Sequence, residues 1–241
     1  MQRREIKISS STGGEFDCYL ALPDDSAKVP AIVLASAIHG VDRDLREIAD
    51  EFAAQGYIAA APDLFWRSIP GPLPHDDARL QQRSNPRLEK ISAGEADLTD
   101  TLAAVRRQSQ YNGRAAVMGF CYGGPYAILG PKRLGFAAGV SCHGSLMLEY
   151  ISDLAGVDQP VCLIWGDRDH RAPAEVLDAY RAVPARMKNV EVHIFPGVLH
   201  GFMMKADTKG FDQKTRDFSM QRALAILDSL RGEERTQRKA S

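Results

Sequence analysis

The chain has only four cysteines in 241 residues: Cys18, Cys121, Cys142 and Cys162. They are too few and too scattered for a disulfide scaffold. None stands in C-x-x-C or zinc-ligand spacing, so no metal centre is expected from them. An excess of charge of either sign is also missing. The 30 Lys and Arg face 31 Asp and Glu, a net charge of −1. Such a balance offers no field for a polyanion, which argues against a nucleic-acid partner. No run approaches about 18 uninterrupted apolar residues, so neither a membrane span nor a membrane partner is expected. The opening residues, MQRREIKISSSTGG, are partly basic but lack the apolar stretch of a secretory signal. The cytoplasm, with free thiols, is the expected setting. Internal repeats and linkers rich in Gly, Ser or Pro are absent too. At 44% hydrophobic and 25% charged residues, the composition is globular rather than disordered. The expectation is one domain over 1–231 and a charged, flexible tail over 232–241. A net charge near zero is compatible with a monomer or a small homo-oligomer.

What is present is alternation. Ile6–Ser9 and Phe16–Leu22 read as short strands around a Gly-Gly turn. Ala31–Ser36 is a continuous apolar run, as in a strand covered on both faces. Leu45, Ile48, Ala49 and Phe52 then repeat at helical spacing, and Gly56 marks the stop. Tyr57–Asp63, Ala115–Phe120, Phe136–Cys142, Val161–Gly166 and Val190–Phe195 are further strands. Helical faces lie around Leu98, Leu102 and Val105, over Ala174–Val183, and from Met220 to Leu230, with a short helix after Cys121. The Pro-rich segment LFWRSIPGPLPHDD reads as a long surface loop. The pattern predicts an α/β fold: a mostly parallel, twisted sheet of about eight strands with helices on both faces. An antiparallel strand lies near the N-terminus, and there is no large lid domain. In such sheets ligands lie beyond the carboxyl ends of the strands.

One strand end carries a chemical signature. Gly119-Phe120-Cys121-Tyr122-Gly123-Gly124 follows an apolar strand and precedes a helix. This is the nucleophile-elbow pattern with cysteine in place of serine. A sharp strand-to-helix turn strains the nucleophile's backbone, and the residues two away on each side must be small. The helix N-terminus would favour the thiolate. An elbow hydrolase next needs an acid and then a histidine, each after a later strand. VCLIWGDRDH offers Asp167 and Asp169, and VEVHIFPGVLHGF offers His200.

With these residues the chain resembles the dienelactone hydrolase (carboxymethylenebutenolidase) family of α/β-hydrolase folds, from about Glu15 to Leu230. The likeness rests on Ile38-His39-Gly40-Val41, Ala61-Pro62-Asp63-Leu64-Phe65, Gly119–Gly124, Asp169-His170 with Pro173, and His200-Gly201-Phe202. It implies a catalytic triad of Cys121, Asp169 and His200, leaving Asp167 as a turn or capping side chain. It implies hydrolysis of a small ester or lactone through a thioester, with no metal or organic cofactor. The backbone N–H groups of Ile38 and Tyr122 are the expected oxyanion donors.

Two positions depart from the family pattern. Ala37 stands where the family often carries a glutamate that meets the thiol, so a Cys121–His200 ion pair is expected instead. Met204 stands where the family carries a substrate-gripping arginine, and Lys205 is adjacent. A second such arginine would be Arg79 or Arg83. The expected substrate pocket contains His39, Phe65, Trp66, Arg79, Arg83, His143, Phe202 and Met204, with Met203 adding to a more apolar wall. Converging His39, His143 and His200 as metal ligands is the less favoured reading. Two alternatives share the fold: a non-catalytic small-molecule binder or thiol redox sensor using Cys121, and a thioesterase or peptidase.

Overall fold

A computed structural model describes residues 1–232. Eight strands form one sheet: β1 (Gln2–Ser9), β2 (Glu15–Leu22), β3 (Val29–Ala35), β4 (Ile58–Pro62), β5 (Tyr111–Phe120), β6 (Ala138–Cys142), β7 (Val161–Gly166) and β8 (Val190–Phe195). Their order is β1-β2-β4-β3-β5-β6-β7-β8. β1 pairs antiparallel with β2, and β2 antiparallel with β4; every other pairing is parallel. Each apolar run in the sequence is a strand. The central ones are buried along their whole length because both faces are covered.

Two cores follow from that. On one face, α1 (Arg43–Ala54) and α7 (Gln213–Ser229) pack on the sheet. The α1 residues Leu45, Ile48 and Phe52 are fully buried, each contributing about 1.5–3 kcal/mol by leaving water. Asp42 caps α1 by accepting from Leu45 N at 2.9 Å, and Gly56 takes the left-handed conformation just beyond its end. On the other face lie α3 (Arg87–Arg106) and α4 (Tyr126–Leu129), with α5 (Met147–Tyr150) and α6 (Glu175–Ala182) continuing that layer over β7. Chain order reverses at β3, with β4 on one side and β5 on the other. The carboxyl ends of β3 and β5 therefore flank a switch-point crevice.

The segment between β4 and α3 differs from a plain surface loop. It has no regular element before α2 (Leu80–Ser84), but Leu64, Phe65 and Leu73 are buried. The helix that follows begins at Arg87, earlier than its apolar stripe suggests. Its first buried positions are Ile91, Gly94 and Asp97, and the last two do not read as apolar. Gly94 lies under Tyr126, whose hydroxyl oxygen would sit 2.1 Å from an added Cβ. Asp97 is fully buried and ties the loop to the helix, accepting from Arg67 Nη1 at 2.6 Å and Trp66 Nε1 at 3.1 Å. The tail expected over 232–241 lies, beyond residue 232, outside the described residues. No helix among the described residues is long and apolar enough to cross a membrane.

Candidate active site

Cys121 follows β5 at the switch point, with φ of 49°, in the left-handed region. That conformation strains a residue with a Cβ, and the neighbouring glycines show what holds it there. A Cβ on Gly119 would lie 2.0 Å from the Gly123 carbonyl oxygen, and one on Gly123 would lie 2.2 Å from that of Ala35. The G-x-C-x-G spacing is thus a steric requirement of the turn. All four cysteines are free, and Cys121 is part-buried whereas Cys18, Cys142 and Cys162 are buried. Burial pushes those three thiols up, as suits small hydrophobes.

The residues after Cys121 do not form one long helix. A 3-10 turn (Cys121–Gly123) leads to the single turn of α4 and then to a wider turn, Gly130–Leu134. Pro125 and Pro131 supply no N–H to a continuous ladder. The short helix expected after Cys121 begins as a 3-10 turn, so the favouring of thiolate by a helix N-terminus, expected from sequence, has little to rest on. Side chains take that part.

Asp169 follows β7 and His200 follows β8. His200 Nδ1 lies 2.7 Å from Asp169 Oδ2; the aspartate side chain is fully buried and the histidine side chain is 11% exposed. Accepting from Nδ1, Asp169 directs Nε2, which is buried with no other partner, toward the thiol. Asp167 plays a different part, accepting from Gly197 N at 2.7 Å and so fastening the β7 and β8 loops together. Burial pushes the Cys121 thiol up, but the charge and hydrogen bond of His200, the Ser145 hydroxyl and the more distant Arg87 outweigh it and bring it down to about 7. Burial lowers His200, yet the charge of Cys121 and the bonds to Asp169 and Cys121 raise it to about 10. The sign is that of a thiolate–imidazolium pair. Each partner favours the charged form of the other, the thiol being lowered by the imidazolium and the imidazolium held by the thiolate and Asp169.

The remaining sequence-derived candidates divide into several groups. His143 is brought to the triad. Its ring packs edge-on to that of His200 at 4.8 Å, with Phe202 beneath it at 4.9 Å. It is fully buried with both nitrogens unpaired, and burial holds it well below its usual value. His39 instead stacks on His75 at 3.8 Å, with Nδ1 3.3 Å from the Leu73 carbonyl. Phe65, Phe202, Met203 and Met204 are core side chains, at most 4% exposed; Phe65 meets the Tyr122 ring at 4.8 Å. Trp66 is half-buried and stacks on Phe16 at 5.9 Å. Lys205 is paired with Glu47. Ile38 is half-buried just past β3, and Tyr122 directly follows the nucleophile.

The arginines have separate parts. Arg79 is exposed and paired with Asp77 at 2.7 Å. Arg83 is fully buried and donates to the carbonyls of Ile69 at 2.6 and 2.8 Å, of Ile38 at 2.9 Å, and of Gly71. It organises the loop and fixes the Ile38 peptide. Among the described residues, groups with metal-ligand spacing gather elsewhere, at Cys162, Glu191 and His193. There Arg222 already engages Glu191 at 2.6 and 3.0 Å.

Two residues escaped the sequence reading. Ser145 Oγ lies 3.5 Å from Cys121 Sγ. Its only signal is a small polar residue shortly after a strand end. Arg87 is half-buried, makes no hydrogen bond, ion pair or ring contact among the described residues, and lies close enough to lower the Cys121 thiol. Arg79, Arg83 and Arg87 recur every four residues, and only the fold tells their roles apart.

Comparison with known proteins gives the family and the fold. The family model for the dienelactone hydrolase family matches residues 16–230. Carboxymethylenebutenolidase 1 of Cupriavidus pinatubonensis is 28% identical over 232 residues, covering 94% of this chain and 97% of that protein. Carboxymethylenebutenolidase of Pseudomonas sp. is 31% identical over 188 residues, covering 75% and 78%. In fold, the chain is similar to the crystal structure of a candidate dienelactone hydrolase from Klebsiella pneumoniae. The TM-score is 0.79 at 24% identity, over 94% of this chain and 98% of that one.

Proposed function

Since the chain belongs to the dienelactone hydrolase family, and is accordingly a hydrolase of ester or lactone bonds on an α/β-hydrolase fold, we propose that it works through a thioester formed on Cys121. The observation that carries this reading is the bond from His200 to buried Asp169 at 2.7 Å, with Nε2 left for the thiol of part-buried Cys121 on a strained elbow. The Cys121 sulfur attacks the carbonyl carbon of a small ester or lactone. Charge develops on the carbonyl oxygen, which the N–H groups of Tyr122 and Ile38 receive; the first N–H groups of a helical turn have no partner within it. His200 gives its proton to the leaving oxygen and then draws one from water for the second attack. Asp169 keeps the imidazole oriented and balances its charge. The proton transfers in these steps run between His200, the substrate and water.

Arg87 favours substrates with an anionic group. A half-buried guanidinium with no partner among the described residues, within electrostatic reach of the sulfur, would meet a carboxylate carried on the acyl part. The test is a panel of esters and lactones of graded charge, assayed with the native chain and with Arg87→Met. For a carboxylate-bearing lactone the expected result is a fall in kcat/KM of about 10-fold or more in the variant, from loss of one charge-assisted contact. Neutral esters should change by less than about twofold. Equal effects on both would remove Arg87 from substrate choice.

A further inference from the structure

Ser145 stands in the segment Ser141-Cys142-His143-Gly144-Ser145-Leu146, which leaves β6 at Cys142. The turn is strained at both ends: His143 has φ of 41° and Leu146 of 58°, each in a region costly for a residue with a Cβ. What holds it is direct packing on the elbow. A Cβ on Gly124 would lie 2.3 Å from Gly144 Cα, so the two backbones touch there. The Ser145 N–H then donates to the Cys121 carbonyl at 2.7 Å, an oxygen that also accepts from Gly124 N at 3.0 Å. With its backbone fixed in this way, Ser145 is 3% exposed and its Oγ is 3.5 Å from Cys121 Sγ. An ionised sulfur carries no proton, so in the thiolate state the hydroxyl must be the donor.

We propose that Ser145 is a fourth working residue of the site, donating a hydrogen bond to the Cys121 sulfur that holds the resting thiolate and is given up when the sulfur becomes a thioester. This rests on the reading of Cys121 as the nucleophile. During attack the S–C bond forms, the carbonyl π pair moves to oxygen, and Ser145 keeps its own proton throughout. The hydrogen bond weakens because a neutral thioester sulfur is a poor acceptor. In this chain, where Ala37 offers the sulfur no carboxylate, His200 supplies charge beside it and Ser145 supplies a neutral donor.

The trade-off is measurable. Stabilising a thiolate increases its population but lowers its reactivity, with a Brønsted slope of about 0.4–0.5 for attack on disulfides. Reaction of Cys121 with dithiodipyridine, followed by released pyridinethione across pH, reads both quantities without any ester turnover. Ser145→Ala keeps the N–H clamp and removes only the hydroxyl. The expected midpoint of thiol reactivity rises by about one pH unit, the order of a hydrogen bond to a charged group. Below both midpoints the variant should react about threefold more slowly; above both, about threefold faster. A packing role alone would not make the two profiles cross. Should the alanine variant fold poorly, Ser145→Thr and Ser145→Val are matched in shape and differ in the hydroxyl, and the threonine form is expected to keep the lower midpoint. An unchanged midpoint in Ser145→Ala, or identical Thr and Val profiles, would overturn the proposal. Undiminished ester turnover in Cys121→Ala would instead overturn the nucleophile reading, so the two failures are distinct.

Discussion

Cys121→Ala is expected to lower turnover of p-nitrophenyl acetate by about 10⁴-fold or more, the scale on which removing a nucleophile acts when the rest of a triad remains. The loss should fall on kcat and leave the melting temperature nearly unchanged, since alanine fills most of the same space and keeps the same backbone strain. The residual rate is what the oxyanion donors and general base provide without covalent attack. A variant that kept a tenth or more of the native rate would place the reacting group elsewhere. It would favour the alternatives in which Cys121 senses oxidants or the fold merely binds a ligand. His200 and Asp169 would then be a buried ion pair without a chemical task, which is hard to reconcile with Nε2 being directed at a thiol.

Arg83→Met is expected to have the largest effect on stability. The guanidinium is fully buried, lies 4.7 Å over the Phe65 ring and serves the carbonyls of Ile38, Ile69 and Gly71. Methionine fills part of the volume but leaves these acceptors without a donor. Unsatisfied buried groups of this kind cost about 1–3 kcal/mol each before relaxation; a net loss of about 4 kcal/mol is expected, which lowers the melting temperature by about 10 °C in a chain of this size. Arg83→Lys should recover little, because one ammonium cannot reproduce a planar fork spanning three carbonyls. Because the same fork fixes the Ile38 peptide, kcat should fall with it in the folded variant. A drop under about 2 °C would show that the loop between β4 and α3 is held by its apolar anchors, Leu64, Phe65 and Leu73, instead.

The fold was legible where one signal outweighed the rest. Runs such as Ala31–Ser36 and Val161–Gly166 are apolar because both faces of a parallel sheet are covered, so their sequence states their place. The elbow was legible because its glycines answer to backbone atoms only 2.0 and 2.2 Å from any added Cβ. The segment from 64 to 90 was less readable, since polar side chains there do the work of a core. Arg83 is as buried as Phe65, and no pattern in the chain separates it from exposed Arg79. The early start of α3 was hidden for the same reason, its inward face being built with Gly94 and Asp97. Ser145 was invisible because its role comes from a turn that becomes meaningful only when packed on another element. His39 and His143 read alike as strand-end histidines, yet one stacks on His75 and the other on His200.

The central claim is that the acyl group passes through the sulfur of residue 121. Mixing the enzyme with p-nitrophenyl acetate, quenching in acid within the first turnovers and mapping the acetyl group by mass spectrometry of tryptic peptides tests it most directly. Residues 115–132 form one such peptide and contain Cys121 but no serine, whereas Ser145 lies in the peptide 134–168. The acetyl group is expected on 115–132, at Cys121. Acetyl on 134–168, or steady turnover with no acylated peptide at all, would contradict it.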